Sequence, residues 1–124
     1  MDDFSEQPHY FIDPEHARKF TQTEGLETTV LTGLHGERMM MALNATLPGH
    51  SVPVHFHPHE QIGMVLRGRA ILRIGDDERE VGPGDFCVPG GVLHSDTCLS
   101  DEPFVMLDIF YPVREDFVAQ VGKG

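Results

Sequence analysis

Short apolar runs separated by turn-forming residues fill this chain from Leu26 onward. Leu47-Pro48-Gly49, Gly75-Asp76-Asp77 and Gly82-Pro83-Gly84 are examples of those turns, since proline and glycine favour tight reversals of the backbone. Runs this short suit strands, and many short strands at regular spacing favour a sandwich or a barrel. The predicted strands are Glu27–Leu34, Arg38–Leu47, Val52–His57, Ile62–Leu66, Ala70–Ile74, Arg79–Val81, Phe86–Val88, Ser95–Cys98 and Phe104–Tyr111.

The same pattern divides the chain into an N-terminal arm, residues 1–25, and one barrel domain, residues 26–124. The arm is polar and acidic as far as about Lys19, and Pro8 and Pro14 interrupt regular structure there. We therefore expect an irregular segment or a short helical turn. Within the barrel domain only Arg114–Val121 hints at a helix.

Charge and composition restrict the partners. Acidic residues outnumber basic ones by 20 to 9, and the resulting net charge of −11 argues against nucleic acid or an anionic membrane surface. No apolar stretch is long enough to span a bilayer, and Met1-Asp2-Asp3-Phe4-Ser5-Glu6 lacks the basic start of a signal peptide. A cytoplasmic protein is expected, with Cys87 and Cys98 as reduced thiols rather than a disulfide.

Three histidines form a candidate metal site. In an extended strand His55 and His57 share a face, about 7 Å apart, so both imidazoles can grip one cation. His94 follows the turn Pro89-Gly90-Gly91, which can deliver a third imidazole. Imidazole clusters suit first-row divalent ions, whereas the alternative is a set of solvated or hydrogen-bonded histidines without a metal.

The remaining histidines are weaker candidates. We expect His59 to be a loop residue or to support a ligand from behind, although the strand alternation also allows it to line the site. His50 is a weak candidate too, and the other histidines are expected at the surface: His9, His16 and His35.

The segment around His55-Phe56-His57 and the turn before His94 resemble the two motifs of the cupin family. The resemblance covers roughly residues 42–116 and implies a small antiparallel jelly-roll β-barrel with a metal at its mouth. In the second motif Gly84 stands one residue late and Cys98 replaces an asparagine, so we expect Cys98 to pack in the core. The first motif agrees in spacing at Gly49, His55, His57, Gln61 and Gly68, with Gln61 where most cupins have glutamate.

The implied cofactor is one divalent first-row metal ion, Ni, Zn, Fe or Mn, on His55, His57, Gln61 and His94. A glutamine supplies a neutral oxygen, so the ion keeps its full positive charge and suits Lewis-acid work on an anionic substrate. Gln61 as a plain surface residue is the alternative. Iron and oxygen chemistry also stays open, because cupin dioxygenases use histidine-rich sites too.

A second constellation lies in the C-terminal strand. Phe104, Met106, Asp108 and Phe110 alternate onto one face, so a carboxylate interrupts an apolar row. Asp108 is either a hydrogen-bonded structural aspartate or a general acid or base whose pKa is raised by apolar neighbours. Phe110 is an apolar wall of the site or simply core. Arg114 either folds over the mouth and grips a substrate carboxylate bidentately, or is a surface or Asp-paired arginine.

The tail Asp-x-Phe-x-Pro-x-Arg-Glu-Asp, together with His-x-His-Pro-His-Glu-Gln-Ile-Gly, resembles the KdgF-like, pectin-degradation subgroup of small cupins. This resemblance implies ketonisation of a ring-form 4,5-unsaturated monouronate, with Asp108, Phe110 and Arg114 as catalytic residues. Asp108 would transfer a proton and Arg114 would hold the substrate carboxylate.

Two other functions stay open at this point: an iron- or nickel-dependent cupin dioxygenase, and a non-catalytic module that binds a metal or a sugar. The expected partners are a small anionic sugar acid and a second copy of the chain. The homodimer follows mainly from the resemblance, and Met39-Met40-Met41 adds a strand that is apolar on both faces.

Overall fold

The structure, a computed structural model, describes residues 10–122. Strands dominate it, and none of its helices among these residues has the length and apolar character needed to cross a bilayer. The elements are a 3₁₀ turn at Pro14–His16, the strands β1 Arg18–Thr23, β2 Leu26–Val30, β3 Met40–Thr46, β4 Ser51–His55, β5 Glu60–Arg67, β6 Ala70–Ile74, β7 Asp77–Val81, β8 Phe86–Cys87, β9 His94–Cys98 and β10 Phe104–Tyr111, and the helix α1 Glu115–Val121.

The strands form two antiparallel sheets that pack face to face. The larger sheet has the order β1-β2-β3-β10-β5-β8, and the smaller has the order β4-β9-β6-β7. β10 lies in the middle of the larger sheet, where Asp108 is opposite Ala42 on one side and Gly63 on the other. The predicted all-β, double-sheet jelly roll is confirmed.

The sequence analysis placed residues 1–25 in an irregular N-terminal arm, and the structure has a strand within that segment. Residues 18–23 form β1, which pairs with β2 from Arg18 opposite Val30 to Thr23 opposite Leu26. Four of the six residues of β1 are exposed and Phe20 is its only apolar residue, so the strand has no repeated apolar alternation, and it pairs with β2 through the backbone. The short helical turn is confirmed at Pro14–His16, and residues 1–9 lie outside the described part of the chain.

Helix α1 closes one end of the barrel. Its Phe117 is buried and meets Phe110 and Phe20 edge to face, with ring centroids 5.6 and 5.2 Å apart. Arg18 Nη1 donates to the Val121 carbonyl at 3.0 Å, which ties β1 to the end of the helix. The predicted helix is therefore confirmed, and it covers an apolar cluster of buried residues: Val30, Met40, Ala42, Phe110 and Phe117.

A second apolar cluster joins the two sheets at the opposite end of the barrel. Phe104 from the larger sheet and Leu72 from the smaller belong to it, together with Cys98. Cys87 and Cys98 are both free thiols, as predicted. Between the two clusters the inner face is polar, which leaves a cleft rather than a filled core.

The outer face of the larger sheet is apolar over several neighbouring strands. Leu107 lies opposite Leu43 and Met64, and all three are only half-buried. Exposed apolar residues extend this surface across β5 and β8, where Ile62 is 50% and Phe86 is 73% exposed. Monomeric soluble proteins rarely expose a contiguous apolar surface of this kind. We call the set formed by Met41, Leu43, Ile62, Met64, Phe86, Leu107 and Ile109 the outer patch.

We propose that a second copy of the chain covers the outer patch in a two-fold symmetric dimer, because one such patch is complementary to itself. Light scattering at micromolar concentration should give about twice the 13.8 kDa of one chain. Ile62→Glu should shift the protein to monomer, since it places a charge in the contact. Leu99→Glu, at an equally exposed residue outside the patch, should leave the dimer intact. A monomeric wild-type protein would contradict the proposal.

Candidate metal centre

The four predicted ligands line one cleft between the two sheets. His55 is the last residue of β4 and lies opposite His94, the first residue of β9. His57 comes just after the end of β4, and Gln61 lies near the start of β5. The structure thus brings the four side chains to one cleft, and their role as metal ligands stays a prediction. The cleft encloses about 540 Å³, counting the part that opens to solvent.

The turn before His94 is held against the other ligands by close backbone packing. Gly91 N–H donates to the His57 carbonyl at 3.3 Å. A Cβ at Gly90 would lie 2.5 Å from the backbone nitrogen of Gln61, so only glycine allows this approach. The glycines of this turn therefore set the distance between β9 and the start of β5.

The three imidazoles are in mutual contact. Ring centroids are 4.1 Å apart for His55 and His94, 5.1 Å for His57 and His94, and 6.3 Å for His55 and His57. His55 Nδ1 donates to the Pro53 carbonyl at 2.8 Å, and His94 Nδ1 donates to the Val92 carbonyl at 2.6 Å. Each Nε2 is then left with its lone pair, which is the arrangement that orients metal-binding histidines.

His57 and Gln61 are joined to each other. His57 Nε2 donates to Gln61 Oε1 at 2.8 Å, and His57 Nδ1 is buried without a hydrogen-bond partner in the described part of the chain. Neighbouring ligand atoms around a tetrahedral ion bound at about 2.1 Å are about 3.4 Å apart, so His57 Nε2 and Gln61 Oε1 lie closer together than two ligands of one ion. To bind a metal through Nε2, His57 would exchange this hydrogen bond for the ion.

The donor set fits a divalent ion in its chemistry, although the side chains as they stand do not enclose one. Within residues 10–122, no three His, Cys, Asp or Glu side chains are grouped so as to hold a metal ion. Burial lowers the pKa of His57 to about 4, helped by the nearby Arg114 guanidinium, and burial also lowers the pKa of His94. Both rings are therefore neutral at pH 7, as a metal ligand must be.

Asp108 fixes the orientation of Gln61. The aspartate is only 3% exposed, and its Oδ1 accepts from Gln61 Nε2 at 2.9 Å. Because an ionised carboxylate only accepts hydrogen bonds, the amide nitrogen must face Asp108 and Gln61 Oε1 must face His57. A Cβ at Gly63 would lie 2.7 Å from Asp108 Oδ1, so glycine provides the room for this contact.

Asp108 is fixed in turn by a chain of hydrogen bonds that crosses the larger sheet. Its Oδ2 accepts from Asn44 Nδ2 at 2.7 Å. Asn44 Oδ1 accepts from Thr28 Oγ1 at 2.6 Å and from Gln22 Nε2 at 3.1 Å. The chain therefore begins on β1, in the segment that the sequence placed in an irregular arm.

The surroundings of Asp108 raise its pKa above the ordinary value of an aspartate. Burial is the largest cause, and the hydrogen bonds from Asn44 and Gln61 and the charge of Arg114 oppose it. Asp108 is thus both a hydrogen-bonded aspartate and a carboxyl group with a raised pKa that lines the cleft. The structure therefore shows the hydrogen-bonded aspartate, and its role as a general acid or base stays a prediction.

Arg114 is buried, only 7% exposed, and paired with Asp116. Its Nε and Nη2 donate to the two Asp116 carboxylate oxygens at 2.9 and 2.7 Å. The guanidinium also lies over the rings of Phe117 and Phe110, at 4.2 and 5.0 Å from their centroids. The Asp-paired alternative is confirmed, and a substrate would meet the opposite edge of the guanidinium. Phe110 serves as both core and wall of the cleft.

His59 lies beside the site rather than in it. It is a buried loop residue whose ring centroid is 5.7 Å from that of His57, and it does not line the cleft. Its Nε2 is 3.7 Å from Glu115 Oε2 at the start of α1. His16 and His35 are exposed, as predicted, and His9 lies outside the described residues.

A further carboxyl group in the cleft was missed by the sequence analysis. Asp96 shares the inner face of β9 with His94, and its Oδ1 accepts from Thr46 Oγ1 at 2.7 Å. Burial raises the pKa of Asp96 to about 6. The alternation of β9 was a signal that could have found it, since residues two apart on a strand point the same way.

Comparison with known proteins decides the family. A model of the cupin domain matches residues 45–110, more than half of the chain. The chain is a cupin. No curated protein matches this cupin in a sequence search.

Solved structures agree with this assignment. An RmlC-like cupin from Shewanella frigidimarina superposes with a TM-score of 0.76 at 25% identity, covering 90% of this chain and 98% of that one. KdgF from Halomonas sp. superposes with a TM-score of 0.76 at 23% identity, covering 89% of this chain and 99% of that one. A sugar phosphate isomerase of the cupin superfamily from Silicibacter pomeroyi superposes with a TM-score of 0.71 at 19% identity, covering 83% of this chain and 76% of that one.

We predict that the purified cupin binds about one divalent first-row ion per chain, because three imidazoles and one amide oxygen line the same cleft. Elemental analysis after reconstitution measures this directly. The double variant His55→Ala/His57→Ala should lose most of the metal, whereas His16→Ala, at an exposed histidine, should keep it. Equal metal content in all three proteins would rule out the assignment.

A second prediction concerns the contact between Gln61 and Asp108. Gln61→Glu places two carboxylates 2.9 Å apart in a buried site, so the metal-free variant should have a clearly lower melting temperature. Adding Asp108→Asn should restore much of the lost melting temperature, because the new amide can donate to the carboxylate introduced at position 61. Thermal unfolding of the metal-free single and double variants measures the coupling. Additive effects would show that Gln61 and Asp108 do not interact.

Proposed function

We propose that this cupin is a metal-dependent isomerase that ketonises a ring-form 4,5-unsaturated monouronate or a related small anionic sugar acid. One observation carries the proposal: a buried carboxyl group, Asp108, lies directly behind a neutral amide ligand in a cleft that also holds Arg114. The cleft thus combines a neutral metal-binding set, a proton-transfer group and a cation.

The neutral ligand set determines what a bound metal would contribute. His55, His57, His94 and Gln61 would hold the ion, and a Ni, Zn, Fe or Mn ion there would polarise a substrate oxygen as a Lewis acid. None of the four ligands carries negative charge, and Asp108 keeps the amide oxygen of Gln61 facing the ligand cluster. The protein therefore preserves the charge of the ion for an anionic substrate.

Asp108 is the proton-transfer group in this proposal. In ring-opening ketonisation the anomeric hydroxyl loses a proton, the ring C–O bond breaks and the vinylic carbon C4 gains a proton, so no electron acceptor is needed. A carboxyl whose pKa is raised by burial holds a proton more readily than an ordinary aspartate, which suits Asp108 to accept a proton and return it. Its place among the cleft-lining residues gives it access to a bound substrate.

Arg114 supplies the cation for the substrate carboxylate. Asp116 occupies its Nε and one Nη2 hydrogen, which leaves three of the five N–H donors of a guanidinium. Stacking on Phe110 and Phe117 holds the plane of the group in place. The edge formed by Nη1 and Nη2 can then bind a carboxylate with both nitrogens.

The comparisons support the proposal at the level of the fold. KdgF from Halomonas sp. and the isomerase from Silicibacter pomeroyi share the barrel at 23% and 19% identity. The resemblance of the ligand set and the C-terminal tail to the pectin-degradation subgroup supports the uronate substrate.

The hydrogen-bond chain allows a clean test of Asp108. In Asp108→Asn alone, the new amide nitrogen would face the amide nitrogen of either Asn44 or Gln61, and that hydrogen bond would be lost. In the swapped variant Asn44→Asp/Asp108→Asn, the amide at position 108 can donate to the carboxylate at position 44 and accept from Gln61, so each hydrogen bond has a partner. We expect the swap to keep metal content and folding while the rate falls by ~10²–10⁴-fold.

The measurement is loss of the ultraviolet absorbance of the unsaturated uronate, followed together with oxygen uptake. Acceleration by metal-loaded wild-type protein without oxygen uptake supports the isomerase. Turnover that consumes oxygen would indicate a dioxygenase, and no acceleration over the spontaneous rate would contradict the proposed function. A swapped variant as fast as wild type would remove Asp108 from the proton-transfer step.

For Arg114 we predict a separate effect on substrate binding. Arg114→Lys should mainly raise KM, because lysine has one nitrogen and cannot bind a carboxylate bidentately as arginine does. Arg69→Lys, at an exposed arginine paired with Glu80, is the matched control and should leave KM unchanged. A fall in kcat with unchanged KM in Arg114→Lys would contradict the assigned role.

A further inference from the structure

Asp96 lies on an apolar part of the cleft wall. In the smaller sheet it is opposite Val52 on β4 and Leu72 on β6, and all three residues line the cleft. His94 precedes it by two residues on the same face of β9. A carboxylate at this position is costly unless donors surround it.

Asp96 receives only one hydrogen bond from the described residues. Thr46 Oγ1 reaches across the barrel from β3 to Asp96 Oδ1, and Oδ2 has no donor in residues 10–122. An ionised carboxylate offers about four acceptor positions. A ligand in the cleft is the natural source of the missing donors.

The cleft is electrically polarised along β10. Thr46, the partner of Asp96, is opposite Phe104 near the start of β10, and Phe110 lies six residues further along the strand, with Asp108 between them. Arg114 stacks on Phe110, so the cation is near one end of β10 and Asp96 is near the other. An anionic group is attracted to the Arg114 end and repelled from Asp96, whereas neutral hydroxyl donors suit Asp96.

We propose that Asp96, held in place by Thr46, is the acceptor of a hydroxyl-binding subsite that receives the polyhydroxylated part of a ligand whose carboxylate lies toward Arg114. This subsite deepens the proposed function, on which its identification with a sugar acid rests. Its recognition of hydroxyl groups is a binding property and is testable without turnover.

Two probes separate hydroxyl recognition from carboxylate recognition: D-galacturonate, and cyclohexanecarboxylate, which has a six-membered ring and a carboxylate but no hydroxyls. Calorimetric titration of the metal-loaded wild-type protein should show tighter binding of galacturonate. Asp96→Asn keeps an oxygen for Thr46 and turns an amide nitrogen to the cleft. It should weaken galacturonate binding about tenfold or more and leave cyclohexanecarboxylate within about twofold. Asp101→Asn, at an exposed aspartate, is the control.

Thr46→Val tests the alternative that Asp96 only joins the two sheets. In that case Thr46→Val would lower the melting temperature, while Asp96→Asn, which keeps the bond, would bind both probes like wild type. That outcome overturns the subsite, as does equal weakening of both probes or a wild-type protein with no preference for galacturonate. If ketonisation is absent but galacturonate binding depends on Asp96, the subsite stands and the proposed function fails. If ketonisation occurs and Asp96→Asn changes neither binding nor KM, the subsite alone fails.

Discussion

The contact between Asp108 and Gln61 is the interaction on which the rest of the site depends. A buried carboxylate that accepts from the amide nitrogen leaves the amide oxygen only one direction to face, toward the histidines. The cleft thereby presents a neutral amide oxygen to the histidines, next to a buried acid. Asn44 stabilises this arrangement by donating to the other carboxylate oxygen.

The barrel architecture explains why such a contact is possible in a small protein. β10 lies between β3 and β5, so one residue of β10 can contact the inner-face side chains of both neighbours. Glycine at position 63 leaves room for the carboxylate, and apolar clusters pack at both ends of the cleft. Strand order and core packing thus raise the pKa of Asp108 through burial.

Local patterns predicted much of this structure. Alternation along Phe104–Tyr111 placed Asp108 on the inner face, and the spacing of His55 and His57 placed both rings in one cleft. β1 was missed because it is polar and exposed, and backbone pairing leaves no mark in the side-chain pattern. The partners of Asp108 and Arg114 were missed or left open, because contacts such as Asn44 with Asp108 join residues 64 positions apart and depend on strand order.

The polar residues of the inner face cluster around the cleft. Asn44, Thr46 and Asp96 each interrupt an apolar strand face, as Asp108 does, and each lines the cleft. Such interruptions are costly unless they are satisfied, so their clustering between two apolar cores marks the region where a ligand is expected.

Anomalous diffraction from crystals of the metal-loaded cupin tests the central claim most directly. The account predicts a single ion in the cleft, bonded to Nε2 of the three histidines and to the amide oxygen of Gln61, with Asp108 hydrogen-bonded to the Gln61 nitrogen and outside the coordination sphere. An ion bound directly by Asp108, or one located outside the cleft, would contradict it.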